Sequence, residues 1–127
     1  MKISILGKGK EKDSPKTPIL LDYASFLHFF SGIFGYIFFN QFLKYSLLIS
    51  FILFNIVHLI YEIKDYYFSY IKKYKKRPKY SYNIFELGYH SNNSYQNSIA
   101  DQFIGCIGFI VGILLKKIYK KALSFNL

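Results

Sequence analysis

Long uncharged apolar stretches alternate with lysine-rich stretches along this chain. Residues 29–39, 46–61 and 103–115 contain no Asp, Glu, Lys or Arg, whereas lysines are concentrated near the N-terminus and in 72–79 and 116–121. Hydrocarbon accepts a long apolar segment only when the charged residues lie at the membrane interfaces. The pattern therefore predicts an all-α fold, a small helical membrane bundle.

Three stretches are long enough to be membrane-spanning helices, at about 19–39, 44–65 and 97–118. Such a helix needs about 20 mostly apolar residues, and the lysines that follow Leu115 can extend the third one by snorkelling to the headgroups. A polar turn at Asn40 and Gln41 is predicted between the first two helices. So short a link makes these two helices antiparallel neighbours.

The domain organisation follows from these spans. Residues 1–18 are predicted to be a flexible basic tail, and 19–127 a single helical transmembrane domain. Residues 66–96 are predicted to be a basic, Tyr-rich loop, the first part of which could continue the second helix along the interface. Aromatic and basic side chains alternate in residues 66–82, which suits single-stranded nucleic acid or a membrane interface. We favour the interface, with the lysines on anionic lipid headgroups.

Composition and charge add an orientation. The 127 residues are 52% hydrophobic with a net charge of +10, and the one cysteine, Cys106, excludes an internal disulfide. Most of the 17 Lys and Arg residues fall in the N-terminal tail and the 64–97 loop, which three spans place on one side. The positive-inside rule assigns that side to the cytoplasm, although four C-terminal lysines argue for the reverse.

Polar residues of the three helices are predicted to meet at one membrane face. The first helix enters from that face, the second returns to it, and the third leaves from it. Asp22, Glu62 and Asp101 then lie at similar depth, with the two span histidines slightly deeper. The candidate polar cluster comprises Asp22, His28, His58, Glu62, Asp65, Asn97 and Asp101.

The spacing of these residues supports one inward face per helix. Asn55, His58, Glu62 and Asp65 are three or four residues apart, which is a single stripe of an α-helix. Glycines continue the stripes of the other two helices and predict close helix packing, with a G-x-x-x-G motif in the third helix. The predicted packing glycines are Gly32, Gly35, Gly105, Gly108 and Gly112. A thin bundle with such a glycine groove could also form a homo-oligomer.

The ionisable groups of the cluster allow a functional and a structural interpretation. His28, His58, Glu62 and Asp101 offer two imidazoles and two carboxylates, a ligand set that suits a divalent metal such as zinc, manganese or iron. The same groups could bind a lipid headgroup or exchange protons. Alternatively, they hydrogen-bond the helices together and bind nothing.

Two function classes correspond to these readings. The chain is a structural or assembly component of a cellular or viral membrane, which we favour, or a small membrane-embedded enzyme or binding protein acting on lipid or metal. Standard nucleotide, serine-hydrolase and redox motifs do not occur in the sequence.

Three segments resemble a known group of proteins. The first helix of VanZ-like and YjdF-like small membrane proteins is similar to LDYASFLHFFSGIFGY. An acidic helix end in those proteins is similar to HLIYEIKD, and their last helix is similar to NSIADQFIGCIGFIVG. The resemblance implies a polar site of unassigned chemistry near one membrane face. It would be carried by Asp22, His28, Glu62, Asn97 and Asp101.

Overall fold

In this computed structural model the backbone is described for 4–6, 19–21, 23–74 and 94–125, and the side chains for most of the same residues. For 65–74, and for Ser4, Tyr23 and Phe125, the backbone alone is described.

Three helices make up nearly all of the described structure, which agrees with the predicted all-α class. Helix α1 spans Tyr23–Tyr36 and continues as a π-helical segment, Ile37–Phe42. Helix α2 spans Leu47–Tyr74 and helix α3 spans Tyr95–Phe125. A pair of three-residue strands, β1 (Ser4–Leu6) and β2 (Ile19–Leu21), precedes α1.

The start of the first helix differs from the sequence prediction. Residues 19–21 are not helical but form β2, which pairs in parallel with β1, a segment predicted as part of the flexible tail. The Asn97 side-chain amide donates to the carbonyl oxygens of Ile19 and Leu20, at 3.0 and 3.2 Å. These bonds to α3 and the pairing with β1 hold 19–21 in an extended conformation, and α1 starts at Tyr23.

The predicted turn at Asn40 and Gln41 is wrong, since both residues lie within the π-helical segment and the turn is formed by 43–46. The Asn40 side-chain amide donates to the Tyr45 carbonyl (2.8 Å), and the Tyr45 backbone amide donates to the Phe39 carbonyl (3.1 Å). The polar side chains therefore close the helix end. Lys44 makes the reversal with a positive φ of 61°.

The other two helices extend beyond the predicted spans. Helix α2 continues to Tyr74, so that the first part of the predicted 66–96 loop continues the helix, as the sequence had left open, and 75–93 lie outside the described residues. Helix α3 runs to Phe125 rather than to about 118. Serine caps both helix starts: Ser46 Oγ accepts from the Ile49 amide (3.3 Å), and Ser94 Oγ accepts from the Asn97 amide (3.1 Å).

Helix α1 packs against α3 at backbone distance, and the predicted glycines make this approach possible. A Cβ atom on Gly32 would overlap the Gly105 carbonyl, and one on Gly108 would overlap the Phe29 carbonyl. Such crossings are typical of small residues in membrane helices. The glycine groove that the sequence offers to a second chain is thus filled within the chain, and the homo-oligomer stays a prediction.

An aromatic core occupies the half of the bundle next to the 43–46 turn. Tyr36, Phe54 and Phe109 are buried there, with Phe109 in edge contact with Tyr36 at a centroid distance of 5.5 Å. Gly35 and Gly112 provide the space for these rings, because a Cβ on Gly35 would overlap Phe54 and one on Gly112 would lie 3.0 Å from Tyr36 Cδ1. Large rings therefore fill the gaps that glycines leave.

Candidate functional site

The polar half of the bundle brings four of the predicted residues together. His28 comes from α1, His58 and Glu62 from α2, and Asp101 from α3. All four side chains are buried. Buried ionisable groups are costly in an apolar protein and need partners, so their convergence from three helices identifies this cluster as the candidate site.

The two nitrogens of the His28 imidazole face different partners. Nδ1 lies 2.8 Å from His58 Nε2 and 3.0 Å from Glu62 Oε1. Nε2 lies 3.5 Å from Asp101 Oδ2. His58 Nε2 and Glu62 Oε1 are 3.8 Å apart. The Nδ1 edge of the His28 ring is thus turned to the two α2 residues, and the Nε2 edge to a carboxylate of α3.

Three of the predicted metal ligands are close enough to share one ion. One ligand atom from each of His28, His58 and Glu62 lies within 4.8 Å of the others. Ligands of a tetrahedral zinc ion, bound at about 2.0–2.1 Å, lie about 3.3–3.4 Å apart. The observed separations of 2.8, 3.0 and 3.8 Å bracket that value, so small rotations of these side chains would complete the geometry.

Asp101, the fourth predicted ligand, lies instead on the far side of His28. A metal-bound histidine commonly turns its other ring nitrogen to a carboxylate, which fixes the ring and selects the tautomer. Asp101 has that position relative to Nε2, and it is itself held by Ser25, whose hydroxyl donates to Oδ1 at 2.6 Å. Ser25 lies three residues before His28 on α1 and was missing from the predicted cluster.

The His58 ring is held from two further sides. It stacks on Phe54 with a centroid distance of 5.3 Å and an interplanar angle of 15°. On its α3 side it lies against Gly105, where an added Cβ would be 2.8 Å from Cε1 and 3.0 Å from Nδ1. Gly105, predicted as a packing residue, therefore makes room for a site side chain.

The remaining predicted residues are not part of this contact group. Asn97 is buried one turn before Asp101, and its amide binds the backbone of β2 at Ile19 and Leu20. These hydrogen bonds join the start of α3 to β2, the strand that precedes α1. Asp22, and the side chain of Asp65, lie outside the described residues.

A second polar group, next to the cluster, was not predicted as a unit. Asn55 Nδ2 donates to the Phe51 carbonyl (2.8 Å), which turns Asn55 Oδ1 towards α3. There it accepts from Gln102 Nε2 (2.7 Å) and from the Cys106 thiol (3.1 Å). Asn55 lies on the predicted stripe of α2. Gln102 directly follows Asp101, so it falls outside the three- to four-residue spacing of the polar positions on α3 and could not be predicted from that spacing.

Comparisons of the chain with protein-family models, curated proteins and solved structures give no match. The resemblance to VanZ-like and YjdF-like proteins stays a prediction.

Proposed function

We propose that this chain is a three-span membrane protein that binds one divalent metal ion through His28, His58 and Glu62. The observation that carries the proposal is the convergence of one ligand atom from each of these buried side chains within 4.8 Å. Asp101 and Ser25 support the site by orienting His28.

The membrane assignment is supported by the length and surface of the helices. Leu47–Lys64 of α2 and Tyr95–Ser124 of α3 are long and apolar enough to cross a membrane. Only 22% and 28% of these stretches is buried in the protein. The core helix of a water-soluble protein buries its apolar residues, whereas here the outward faces carry exposed side chains such as Leu48 and Phe103.

The third span in this proposal is α1 with its π-helical extension, which together cover residues 23–42. The α-helical part has only 14 residues, fewer than a span needs. However, its outward side chains are large and apolar, and Phe26, Leu27 and Phe34 are 65–71% exposed. Close packing on α3 keeps α1 beside a candidate membrane helix along its length.

The charges of the cluster favour a divalent cation. Glu62 and Asp101 are two buried carboxylates, and unpaired buried charges are strongly unfavourable. The 2.8 Å separation of His28 Nδ1 and His58 Nε2 allows only one proton between the two atoms, so both rings cannot be imidazolium. The histidines therefore supply at most one positive charge, and a divalent ion with neutral histidines balances both carboxylates.

The orientation of His28 points to the same ligand. Asp101 beside Nε2 favours the proton at that nitrogen and leaves the Nδ1 lone pair directed at Glu62 Oε1 and His58 Nε2. A metal ion is the natural partner for lone pairs that converge in this way. Three protein ligands leave a fourth position open, as in catalytic rather than structural zinc sites.

Metal content is the direct test. The full chain, purified in detergent and dialysed with zinc, should retain about one zinc ion per chain by elemental analysis. His58→Ala and Glu62→Ala should lose it, because each removes one of three ligands. Asn55→Ala is the matched control, since it removes a polar side chain of α2 that bonds Gln102 and Cys106 and not the three proposed ligands. Equal zinc in wild type and His58→Ala would disprove the site.

The second candidate is a scaffold function, in which the cluster only holds the helices together. The observation that favours it is that the polar contacts of the cluster join helices, as in Ser25 to Asp101 and His28 to Glu62. Chelator separates the two candidates. It should lower the melting temperature of the wild type and leave Glu62→Ala unchanged if metal is bound, whereas a scaffold is indifferent to chelator in both proteins.

A further inference from the structure

We infer that the site takes a single-chain lipid whose headgroup is a hydrogen-bond donor, a hydroxyl or an amine, bound in a groove between α2 and α3. This inference rests on the proposed membrane location and deepens the proposed function by naming the ligand class. Its geometric basis is a groove of about 480 Å³ that reaches Glu62 from the outer surface of the bundle.

The walls of the groove are apolar and accessible from the surface. Leu59 and Ile63 form the α2 wall, and Ile99 and Phe103 form the α3 wall. These four side chains are 47–66% exposed, so the groove opens to what surrounds the helices, which is hydrocarbon in a membrane. The volume is within the range of small-molecule sites, about 300–1,000 Å³. It accommodates about 16 groups the size of a water molecule, of about 30 Å³ each, which suits one alkyl chain.

The inner end of the groove is polar and lacks partners among the described residues. Glu62, only 3% exposed, has its Oε2 atom buried with no hydrogen bond, although Oε1 faces His28. Ser98 Oγ, in the same groove, is likewise buried and unbonded within the part of the chain that the structure describes. Buried acceptors without donors cost about 1–3 kcal/mol each, so a ligand that donates to them binds with that advantage.

The charge of the cluster and the hydrogen-bond acceptors at the end of the groove determine which lipid headgroup fits. Glu62 offers an acceptor in Oε2, and the described residues that line the groove include no Lys or Arg. A hydroxyl or amine donates to Oε2, and Ser98 can accept from the same head or donate to it. With the divalent ion already balancing Glu62 and Asp101, a carboxylate or phosphate would add an uncompensated negative charge in a low-dielectric setting. The groove therefore suits a long-chain alcohol, monoacylglycerol or long-chain amine, and disfavours a fatty acid.

Photocrosslinking in vesicles tests this directly. The full chain is reconstituted in phosphatidylcholine with one of three probes that carry the same hexadecyl chain and diazirine but end in a hydroxyl, an amine or a carboxylate. Labelled peptides are located by mass spectrometry. We expect labelling of 59–63 and 98–103 by the hydroxyl and amine probes, roughly two- to tenfold above the carboxylate probe, the range that one net hydrogen bond provides.

Three variants give the specificity. Ile99→Trp fills the groove from its exposed wall and should abolish the labelling. Leu27→Trp introduces the same ring on the exposed face of α1, where Leu27 is 71% exposed, and should leave it unchanged. Glu62→Gln should remove the preference against the carboxylate probe, because the cluster then carries one negative charge fewer and can accept that of the probe.

Three results would overturn the inference: equal labelling by all three heads, loss of labelling in Leu27→Trp as well as in Ile99→Trp, or labelled peptides that lie elsewhere. Zinc content measured on the same samples keeps the two proposals separate. Ile99→Trp should retain wild-type zinc, since it replaces no ligand. Absent lipid selectivity with zinc retained refutes the lipid alone, and selective labelling without zinc refutes the metal alone.

Discussion

The Ser25 hydroxyl donates a 2.6 Å hydrogen bond to Asp101 Oδ1 and so joins α1 to α3 across 76 positions of sequence. The other oxygen of the same carboxylate lies 3.5 Å from His28 Nε2. Since Ser25 and His28 are one helical turn apart on α1, Asp101 contacts two successive turns of its neighbour. The carboxylate thereby fixes both the register of α1 on α3 and the direction of the His28 ring.

A double-mutant cycle on this pair should give a favourable coupling. We expect Ser25→Ala and Asp101→Ala to be less than additive in the free energy of unfolding, by about 0.6 kcal/mol and at most about 1.7 kcal/mol, the mean and the maximum for polar contacts between membrane helices. Unfolding in mixed detergent micelles provides the measurement. Ser31→Ala is the control, because the Ser31 hydroxyl bonds locally to the His28 carbonyl, and it should be additive with Asp101→Ala.

Two glycines of α3 should differ sharply in their tolerance of alanine. At Gly108 the added methyl meets the Phe29 backbone, which can yield only if the helices separate, and we expect a loss of about 1–3 kcal/mol or more. At Gly112 it meets the Tyr36 ring at 3.0 Å, which a small side-chain shift relieves. Thermal melting of both variants should rank Gly108→Ala well below Gly112→Ala, and similar melting temperatures would refute the backbone contact.

Lys44 lies in the 43–46 turn, where we expect a substitution by glycine to be tolerated, although glycine destabilises a helix relative to lysine. Its φ of 61° is strained for a residue with a side chain, by about 1–2 kcal/mol. Lys44→Gly should therefore be neutral or stabilising by up to about 1 kcal/mol. Lys117→Gly, at an exposed helical position of α3, should instead destabilise by about 1 kcal/mol. A loss of stability at both positions would contradict the left-handed turn.

Cysteine labelling should establish the number of spans and their orientation. In a Cys106→Ser background, Ile5→Cys, Ser46→Cys and Ser124→Cys each place one thiol at an exposed position. With three spans, a membrane-impermeant maleimide should reach the cysteines at 46 and 124 from one side and the cysteine at 5 from the other. The positive-inside rule expects position 5 in the cytoplasm. Labelling of all three from one side would mean that α1 does not cross.

The helices and their inward stripes could be predicted because both are periodic. Positions such as His58, Glu62 and Asp101 repeat every three or four residues, and an antiparallel arrangement then brings equivalent depths together whatever the details of packing. For this reason all three side chains lie against the same His28 ring in the structure. Gly105 and Gly108 could be assigned to packing on the same basis.

The helix ends, and the division of roles within the site, could not be predicted because they depend on single long-range bonds. The start of α1 is set by Asn97, which binds the Ile19 carbonyl from 78 residues away. Nothing in the local sequence distinguishes those carbonyls from helical ones. Likewise, only the three-dimensional direction of each His28 nitrogen shows that Nε2 is turned to Asp101 and Nδ1 to Glu62.

The backbone contact of Gly108 with Phe29 also bears on how the protein is made. A chain synthesised from its N-terminus exposes the α1–α2 hairpin before α3 is complete. During that interval Glu62 and the two histidines of the hairpin lack Asp101. The surface of α1 around Gly32, which α3 later covers, is exposed. The last helix to emerge is thus the one that withdraws these polar groups from their surroundings. A nascent chain that stalls before residue 95 would keep these polar groups without the partners that α3 supplies.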